Sequence, residues 1–436
     1  MPVAFVCAGA PGCGSADDPA PIGGTTVASS DGPDGSGDGA PAEGTARAEG
    51  APTPLGEASP GAADLLGDEP GADSRAGGSC ASRLAAETFT SAVCSCEDTN
   101  VAGYLKTESF ESAGAAAGDA ASVDTSAEVA PGSVSVNGNY ATGGYADVHG
   151  SFTVAGDRDI VFGGYLKAGE DVRVSPALQV AGVVEIGRDA FLKRDARVFG
   201  RVEIGRDLYL DAGVSLNGLA LVDVGGQRRA EEVSIEEPCA CAAGQLIDVA
   251  ALVAAAETDN DNARVGLDPD ALNVVVGIGA EATLPGGRYF IHQLGGLGSL
   301  TLHVAGKTAL FVADDVVAAG VLRVELDPDA ELDLFVRDNL LITGAALFGD
   351  PARPSATRVY VGGTGDVAIA GASAFVGNLY APSANILIGG LGRVDGALFG
   401  KNVIAAGFLD LGYDASIRNA GEQCPPLLPS DIPRIR

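Results

Sequence analysis

Two Arg-Asp pairs are the residues of this sequence whose types and spacing best suit catalysis. Arg188-Asp189 and Arg206-Asp207 each follow the tetrapeptide Val-Glu-Ile-Gly, 18 positions apart. Paired carboxylates about 5–10 Å apart can hydrolyse glycosidic bonds, and one turn of a stacked β-structure would separate these two by about 5 Å. The pattern is also typical of a solvated corner ladder with Arg-Asp compensation, which we favour because charged turn corners are common. We therefore predict no catalytic residue and no enzyme.

The cysteines offer a second chemistry. The candidates for disulfide bonding are Cys80, Cys94, Cys96, Cys239, Cys241 and Cys424. Their two C-x-C pairs could together hold zinc, but disulfides are favoured in an exported chain. We predict that the two C-x-C pairs bond among themselves, closing a loop whose entropy contributes about 4–5 kcal/mol. Cys80 and Cys424 are expected to pair or to lie near the chain ends.

Metal and cofactor sites are not predicted. The candidate calcium ligands are Asp259, Asp261, Asp268, Asp270, Asp327, Asp329 and Glu331. Their spacings lack the pattern of an EF-hand or a calcium-binding β-roll, and Asp and Pro are ordinary turn residues. The three histidines, His149, His292 and His303, are scattered. Thr301, Thr308 and Thr343 do not form the regular array that ice binding needs.

Composition limits the partners and the core. The chain has 27 basic and 58 acidic residues among 436, a net charge of −31. Such a chain repels phosphate backbones, so no nucleic-acid partner is expected. Hydrophobic residues make up 46% and aromatic residues only 5%, with no Trp. A core of Val, Leu, Ile and Ala is therefore predicted.

The N-terminal segment indicates export. Residues 1–13 resemble the remnant of a secretion signal and are too short to cross a bilayer. Cys13 follows small residues, as at a bacterial lipoprotein boundary, although Ala10 stands where an aliphatic residue is usual. Lipid attachment at Cys13 is our expectation; the alternative is a short leader with idle thiols. Residues 14–79 are acidic and rich in Gly, Ala and Pro, which predicts a disordered tether.

Internal repeats predict the fold. The segment Val184–Asp189 returns one repeat later as Val202–Asp207, and Leu310–Gly320 recurs as Leu334–Gly344. Short apolar runs broken by Gly and Asp predict strands and turns. The step between the first two copies suits an all-β parallel β-helix with about 18 residues per coil. An antiparallel sandwich is the alternative, but it rarely keeps one residue pattern at a constant step.

The domain boundaries follow from these repeats. A first β-helical region spans residues 80–240, and a helix plus a second β-helical region spans 241–420. Residues 421–436 form a C-terminal tail. The Ala- and Leu-rich run Gln245–Ala256 predicts one helix, and residues 81–93 predict another short one.

Several motifs in order resemble a known family. They include Cys94-Ser-Cys96, Pro238-Cys239-Ala-Cys241, Leu284-Pro-Gly-Gly-Arg-Tyr289 and Leu398-Phe399 to Gly412-Tyr413. Over residues 80–420 this order resembles a β-helical domain of uncharacterised role in bacterial surface proteins. These include myxobacterial-type lipoproteins and pilus-assembly-like and choice-of-anchor surface proteins, with bactofilins more distant. Gly286 or Gly287 stands where relatives would have a further Cys. The resemblance implies no catalytic residues.

Taken together, the sequence predicts a secreted structural or adhesion protein on the cell surface or outer membrane. Its expected partners are envelope or matrix components, such as polysaccharide, or further copies of itself. Membrane contact is expected only through a lipid anchor. The alternative is a carbohydrate-active β-helix enzyme, a polysaccharide lyase or hydrolase, which a clustered acid-and-Arg groove would favour.

Overall fold

The computed structural model describes residues 81–112, 130–218, 221–275, 277–370, 373–390, 392–420 and 435. The predictions for residues 1–13 and 14–79, and for Cys13, Cys80 and Cys424, lie outside these residues. The described part belongs to one compact unit. It is an all-β parallel solenoid of about 13 turns.

The helices are few and short. The α-helices are α1 (Ala81–Thr88), α2 (Val249–Ala256) and α3 (Asn262–Val265), and the 3₁₀ helices are Ala243–Gln245, Pro354–Ala356 and Ala415–Asn419. The sequence predicted one or two helices, so α3 is an addition. It is a single turn, ended by Gly266 in a left-handed conformation with φ 66°, and is too short for a periodic apolar pattern to reveal it.

The strands fall into two halves along the chain. The first half contains β1 (Val93–Ser95), β2 (Thr99–Val101), β3 (Tyr104–Phe110), β4 (Val134–Val136), β5 (Tyr140–Thr142), β6 (Tyr145–Val148), β7 (Phe152–Val154), β8 (Ile160–Phe162), β9 (Leu166–Ala168), β10 (Val172–Val174), β11 (Leu178–Val180), β12 (Val184–Ile186), β13 (Ala190–Leu192), β14 (Ala196–Val198), β15 (Val202–Ile204), β16 (Leu208–Leu210), β17 (Leu216–Gly218), β18 (Val222–Val224) and β19 (Arg228–Ala230). The second half contains β20 (Asn273–Val274), β21 (Gly279–Leu284), β22 (Gly287–Ile291), β23 (Leu294–Gly296), β24 (Ser299–Val304), β25 (Lys307–Val312), β26 (Val316–Ala318), β27 (Val321–Leu326), β28 (Glu331–Val336), β29 (Leu340–Ile342), β30 (Ala345–Phe348), β31 (Thr357–Val361), β32 (Val367–Ile369), β33 (Ser373–Val376), β34 (Asn378–Ile388), β35 (Gly392–Asp395), β36 (Leu398–Ala405) and β37 (Phe408–Asp414).

These strands form three faces of one rod. The groove face contains β21, β24, β27, β30, β33, β35, β37, β3, β6, β9, β12, β15 and β18 in spatial order. The strap face runs from β22 through the first parts of β34 and β36 to β1 and on to β19. The third face runs from β20 to β5, followed by β8, β11, β14 and β17. Every pairing is parallel, so each turn stacks on the one before it.

The first and last turns in sequence meet halfway along this rod. The last turn pairs with the first one, β36 with β1 and β37 with β3, although the two turns are far apart in sequence. From the first turn, the first half of the chain continues turn by turn to the upper end of the rod, which is formed by β17, β18 and β19. The second half starts at the lower end with β20, β21 and β22. The order of turns in space is therefore that of a circular permutation.

A segment outside the rod connects the two ends. We call residues 231–272 the strap. About nine residues join Ala230 to Cys239, enough for about 30 Å of extended chain, which matches about six turns at strand spacing. Ile247 then donates its N–H to the Tyr380 hydroxyl at 3.0 Å, and α2 packs beside β22, β25 and β28.

The strap, which contains α2, and helix α1 cover an aromatic ladder on the outside of the strap face. The ladder consists of Phe290, Phe311, Phe335, Tyr360, Tyr380 and Phe399, none more than 5% exposed. Its rings repeat at turn spacing, with centroids 4.9 Å apart for Phe311 and Phe335 and 4.8 Å for Phe335 and Tyr360. The ladder thus forms a second core on the outside of the rod.

The main core fills the rod with aliphatic side chains at alternating strand positions, as predicted. Val184 and Ile186 of β12 are buried, whereas Glu185 between them faces outward. The step between turns equals the predicted one in places, where Val172, Ala190 and Leu208 pair in succession. Over the whole rod it is about 20. The predicted step is therefore slightly short, because turns in the second half have longer strands and surface loops between them.

Candidate functional site

A shallow groove of about 760 Å³ runs along the groove face in the upper half of the rod. Its lining comes from β6, β9, β12, β15 and β18 and from the turns that follow them. Five stacked strands extend about 19 Å along the rod axis, at 4.7–4.9 Å per step. The groove is therefore long, open and suited to an extended ligand.

Glycines form the floor of this groove. Gly169, Gly187, Gly205 and Gly225 occupy the same place in successive turns. A Cβ on Gly187 would collide with the carbonyl oxygen of Gly169, and one on Gly205 with that of Gly187. Close backbone approach between turns thus requires glycine, and the missing side chains leave the floor open.

A column of charged side chains borders the floor. In register it contains Asp147, Lys167, Glu185, Glu203 and Asp223. Lys167 pairs with Glu185 at 2.9 Å. Glu203 pairs at 2.9 Å with Arg201, which directly precedes its strand. The column carries more negative than positive charge, so it favours cationic or hydroxyl-bearing groups over anions.

A row of aromatic side chains lies beside the charged column. Phe408, Tyr104, Tyr145 and Tyr165 follow one another on adjacent turns of the groove face. Successive ring centroids are 6.1, 4.5 and 4.5 Å apart, and Phe408 is 46% exposed. Burial, aided by Asp147, raises the pKa of Tyr104 and of Tyr165. Both phenols therefore stay neutral at physiological pH and can both donate and accept hydrogen bonds.

The predicted candidate acids Asp189 and Asp207 lie at a corner of the rod, outside this groove. Asp189 accepts the backbone N–H of Asp207 at 3.0 Å, and Asp207 accepts that of Gln227 at 2.7 Å. One turn below, Asp171 accepts the N–H of Asp189 at 3.1 Å. Arg206 hydrogen-bonds the Asp189 carboxylate and holds its pKa below the ordinary value of 3.8. We call this the corner ladder; its carboxylates bond the backbone of the next turn.

The candidate calcium ligands are dispersed among structural contacts. Asp261 accepts the N–H of Arg288 at 2.8 Å, and Asp259 pairs with the same arginine at 3.0 Å. Asp270 contacts His292 at 2.8 Å. Glu331 pairs with Lys307 at 3.0 Å and with Arg358 at 2.8 Å. Within the described ranges, no group of three or more Cys, His, Asp or Glu residues is arranged to hold a metal ion.

The two C-x-C motifs form two disulfides, Cys94–Cys239 and Cys96–Cys241, with Cα separations of 5.8 and 5.5 Å. The four cysteines thus pair among themselves and attach the strap to the first turn. Next to them, Asn137 accepts the N–H of Cys239 at 2.8 Å and donates to its carbonyl at 2.9 Å. The alternative zinc site is replaced by this covalent clip.

The histidines are not brought together. His149 lines the groove beside Asp147. His303 lies between two carboxylates, 3.1 Å from Glu281 and 3.2 Å from Glu325. His292 is at the lower end of the rod, beside Asp270. No pair of them shares a site in the described part of the chain.

Sequence reasoning missed both the charged column of the groove and the aromatic row beside it. Two signals were present. Tyr145-Ala-Asp147 recurs 20 positions later as Tyr165-Leu-Lys167, and Glu185 recurs as Glu203 within the Val-Glu-Ile-Gly repeat. Each pattern places an aromatic or charged side chain at the outward positions of a strand. The pairing of Tyr104 with Phe408 has no local sequence signal, because the two residues meet only where the last turn pairs with the first.

Comparison with known proteins gives one match. Residues 227–420 match a family described as a domain of unknown function (DUF7305). The match covers β19, the whole strap with α2 and α3, and the second half of the rod. No curated protein matches the chain, and no solved structure does. Within residues 227–420, the expected resemblance to a β-helical domain of uncharacterised role is confirmed.

Proposed function

We propose that this chain is an exported, envelope-tethered surface protein whose rigid rod serves as a scaffold and adhesion surface. A continuous stack of about 13 turns supports this role. Each turn contacts only its neighbours through ladder hydrogen bonds and an aliphatic core, which makes a solenoid stiff along its axis. Among the described residues, no helix is long and apolar enough to span a membrane. Anchoring through Cys13 is part of the proposal.

The disulfide clip supports export. Paired cysteines persist in oxidising compartments and are rare in reducing ones. Fractionation of the natural gene product, combined with lipid labelling, tests this part. We expect labelled protein in the envelope fraction, with labelling lost on Cys13→Ser. Unlabelled protein in the cytosol would contradict it.

The position of α1 on the rod determines which surfaces a tether attached to it would leave exposed. Helix α1 packs against the 3₁₀ helix Ala415–Asn419 that follows the last turn, and Arg418 donates to the Thr90 carbonyl at 2.6 Å. Residue 81, the first described residue of this segment, therefore lies halfway along the rod. A tether attached there would hold the rod by its middle and leave its long faces available.

The groove and its aromatic row carry the adhesion proposal. Aromatic rings beside carboxylates and neutral phenols can contact the apolar CH groups and the hydroxyls of sugars. The acidic border repels anionic polymers. We therefore propose that the groove binds a neutral or amino-sugar polysaccharide, extended along the rod axis.

Binding of the full chain to soluble neutral, cationic and anionic polysaccharides tests this assignment. We expect saturable binding to a neutral or cationic polymer, reduced by Tyr145→Ala and Tyr165→Ala. The matched control is Phe191→Ala with Tyr209→Ala. These rings form an equivalent stack with centroids 4.5 Å apart, but on the strap face. Equal losses from both pairs, or no binding at all, would contradict the proposal.

A second candidate, polysaccharide cleavage, is favoured by one observation. Glu185 and Glu203 pair in register on adjacent strands in the groove, and strand spacing of about 5 Å lies in the range used by retaining glycosidases. Glu185→Gln and Glu203→Gln would each abolish a depolymerase activity if this were so. We expect binding without turnover.

A further inference from the structure

The upper end of the rod exposes unpaired strand edges. Among the described residues, β17, β18 and β19 each pair on one side only, with β14, β15 and β16. Val202 donates to the carbonyl of Leu221, and Gly225 donates to that of Ile204. In a parallel ladder, the backbone N–H and C=O groups of alternate residues point to opposite sides of the strand. The backbone groups of Val222 and Val224 therefore face away from the rod.

The same alternation holds on the strap face of this end. Leu208 donates to Gln227, and Glu231 donates to Leu210, so the backbone groups of Arg228 and Ala230 point outward along the axis. Leu216, Val222 and Val224 are only half buried, and Leu221 is 80% exposed. An edge that combines outward-facing backbone groups with apolar side chains is a template for another chain.

The lower end is closed along its strap-face edge. Asp261 and Asn262 bond the free side of β22: Arg288 donates to Asp261 at 2.8 Å, and Phe290 donates to Asn262 at 2.9 Å. Tyr289 above them is fully buried. Head-to-tail stacking would have to displace these contacts. It would also place Asp223 against Glu281, because both occupy the same outward column of the groove face.

We propose that two copies of this chain associate through their upper ends, about a two-fold axis perpendicular to the rod. Such an isologous contact uses the same surface on both copies and closes at a dimer. Three orientations of the axis are possible, one through each face. Charge complementarity selects the axis through the third face, which brings β18 of one copy against β19 of the other.

In that orientation Asp223 lies opposite Arg229 of the second copy, and the reverse contact repeats across the axis. An axis through the groove face would oppose Asp223 to Asp223, and one through the strap face would oppose Arg229 to Arg229. The hydrogen-bonding alternation also agrees. Val222 and Val224 would meet Ala230 and Arg228 of the second copy as hydrogen-bonded antiparallel pairs, leaving Asp223 and Arg229 as the side-chain pair between them.

Arg228 is the group that opposes this contact. It occupies the inward column above Leu208, yet its guanidinium lies across the end of the rod and donates to the Val222 carbonyl at 3.3 Å. Inward-pointing charges are a device that weakens edge pairing. The dimer must therefore rearrange Arg228, which sets a limit on its affinity.

Analytical ultracentrifugation of the full chain over a range of concentrations tests the dimer. We expect a monomer–dimer equilibrium and no longer species. Asp223→Arg and Arg229→Asp alone should each raise the dimer Kd by more than about tenfold, because each creates like-charge contacts. Mixing these two variants should restore a heterodimer, since both intermolecular pairs then regain opposite charges. Arg228→Leu should lower the Kd.

The controls carry the same charge changes elsewhere. Asp329→Arg and Arg323→Asp alter exposed residues in the lower half of the rod, far from the edge contacts, and mixing them should have no effect. Circular dichroism of each variant excludes misfolding. A chain that stays monomeric at all concentrations, or a dimer indifferent to the exchange of charges, would overturn the proposal. Filaments seen by electron microscopy would indicate head-to-tail stacking instead and would equally overturn it.

Discussion

Asp189 accepts the backbone N–H of Asp207, one turn above it, at 3.0 Å. The two residues that looked most like a catalytic pair are thereby consecutive members of the corner ladder. An aspartate in this position satisfies a backbone donor that the turn would otherwise leave without a partner. Their spacing of one turn reflects the period of the fold.

The corner ladder predicts a measurable loss on truncation. Asp189→Ala removes the acceptor for the Asp207 N–H and the partner of Arg206, and should cost about 1–3 kcal/mol. Asp189→Asn keeps one acceptor oxygen and should cost less. Urea denaturation gives the comparison, with exposed Asp329→Ala as the control. Equal stability of the alanine variant and the parent would show that the ladder is dispensable.

The pH dependence of the same site has a defined sign. Arg206 lowers the pKa of Asp189 in the folded state, so its contribution is full above the unfolded pKa of about 3.9. It is lost as the pH falls through the lower, folded value. The stability difference between the parent and Asp189→Asn should therefore shrink below about pH 4. A difference that grew on acidification would contradict this assignment.

The disulfide clip should behave as one cross-link. Each bond closes a loop of 145 residues, which the chain-entropy model values at about 5 kcal/mol. Once one bond exists, the other closes only a very short loop and adds much less. We expect Cys96→Ser with Cys241→Ser to cost little, and loss of all four cysteines to cost most of the total. Thermal unfolding with and without reductant measures both; additive losses would refute the argument.

Loss of the whole clip should also uncover the aromatic ladder. Without it, the strap is held near the first turn by contacts such as those of Asn137 with Cys239. We expect the cysteine-free variant to bind a hydrophobic dye more strongly than the parent under native conditions. The single-bond variant is the matched control and should resemble the parent.

One whole turn should be removable. Deleting residues 187–204 joins Ile186 to Gly205 and preserves every column, because Val184 and Val202 pair in register. The strap then has about 5 Å to spare, equal to one or two residues. We expect a folded, slightly shorter rod by circular dichroism and small-angle scattering. Deleting residues 187–203 instead leaves one extra residue in that turn and should give a less stable rod, because the turn must bulge or the next strand must slip and exchange inward and outward side chains.

The buried ion pair between Asp333 and Arg358 predicts that loss of one partner destabilises the fold more than replacement of both. Both residues are 1% exposed, and Arg358 also pairs with Glu331. Arg358→Ala leaves a buried carboxylate uncompensated and should cost about 3–5 kcal/mol. Asp333→Leu combined with Arg358→Met should cost less than the single change. Urea denaturation of the parent and the two variants decides; a double variant less stable than Arg358→Ala would contradict the prediction.

Local pattern in the sequence was sufficient for the architecture of a single turn. Val184-Glu-Ile186-Gly187 contains the alternation of a strand and the glycine that close stacking requires, so its repetition predicts a parallel solenoid. The sequence also predicted that the two C-x-C motifs bond to each other, since their equal spacing lets both bonds form side by side. Such inferences succeed because a turn contacts mainly its neighbours.

The tertiary structure alone decided how the turns are ordered. Lys106 lies next to Asp410 on the groove face, although the two are far apart in sequence, because the last turn stacks beneath the first. Local alternation cannot specify this order, since any turn offers a similar apolar interior and similar backbone edges to any other. The order depends instead on contacts made once in the molecule. These are the disulfides, the fit of the strap over the aromatic ladder, and the closure of the lower end by Asp261 and Asn262.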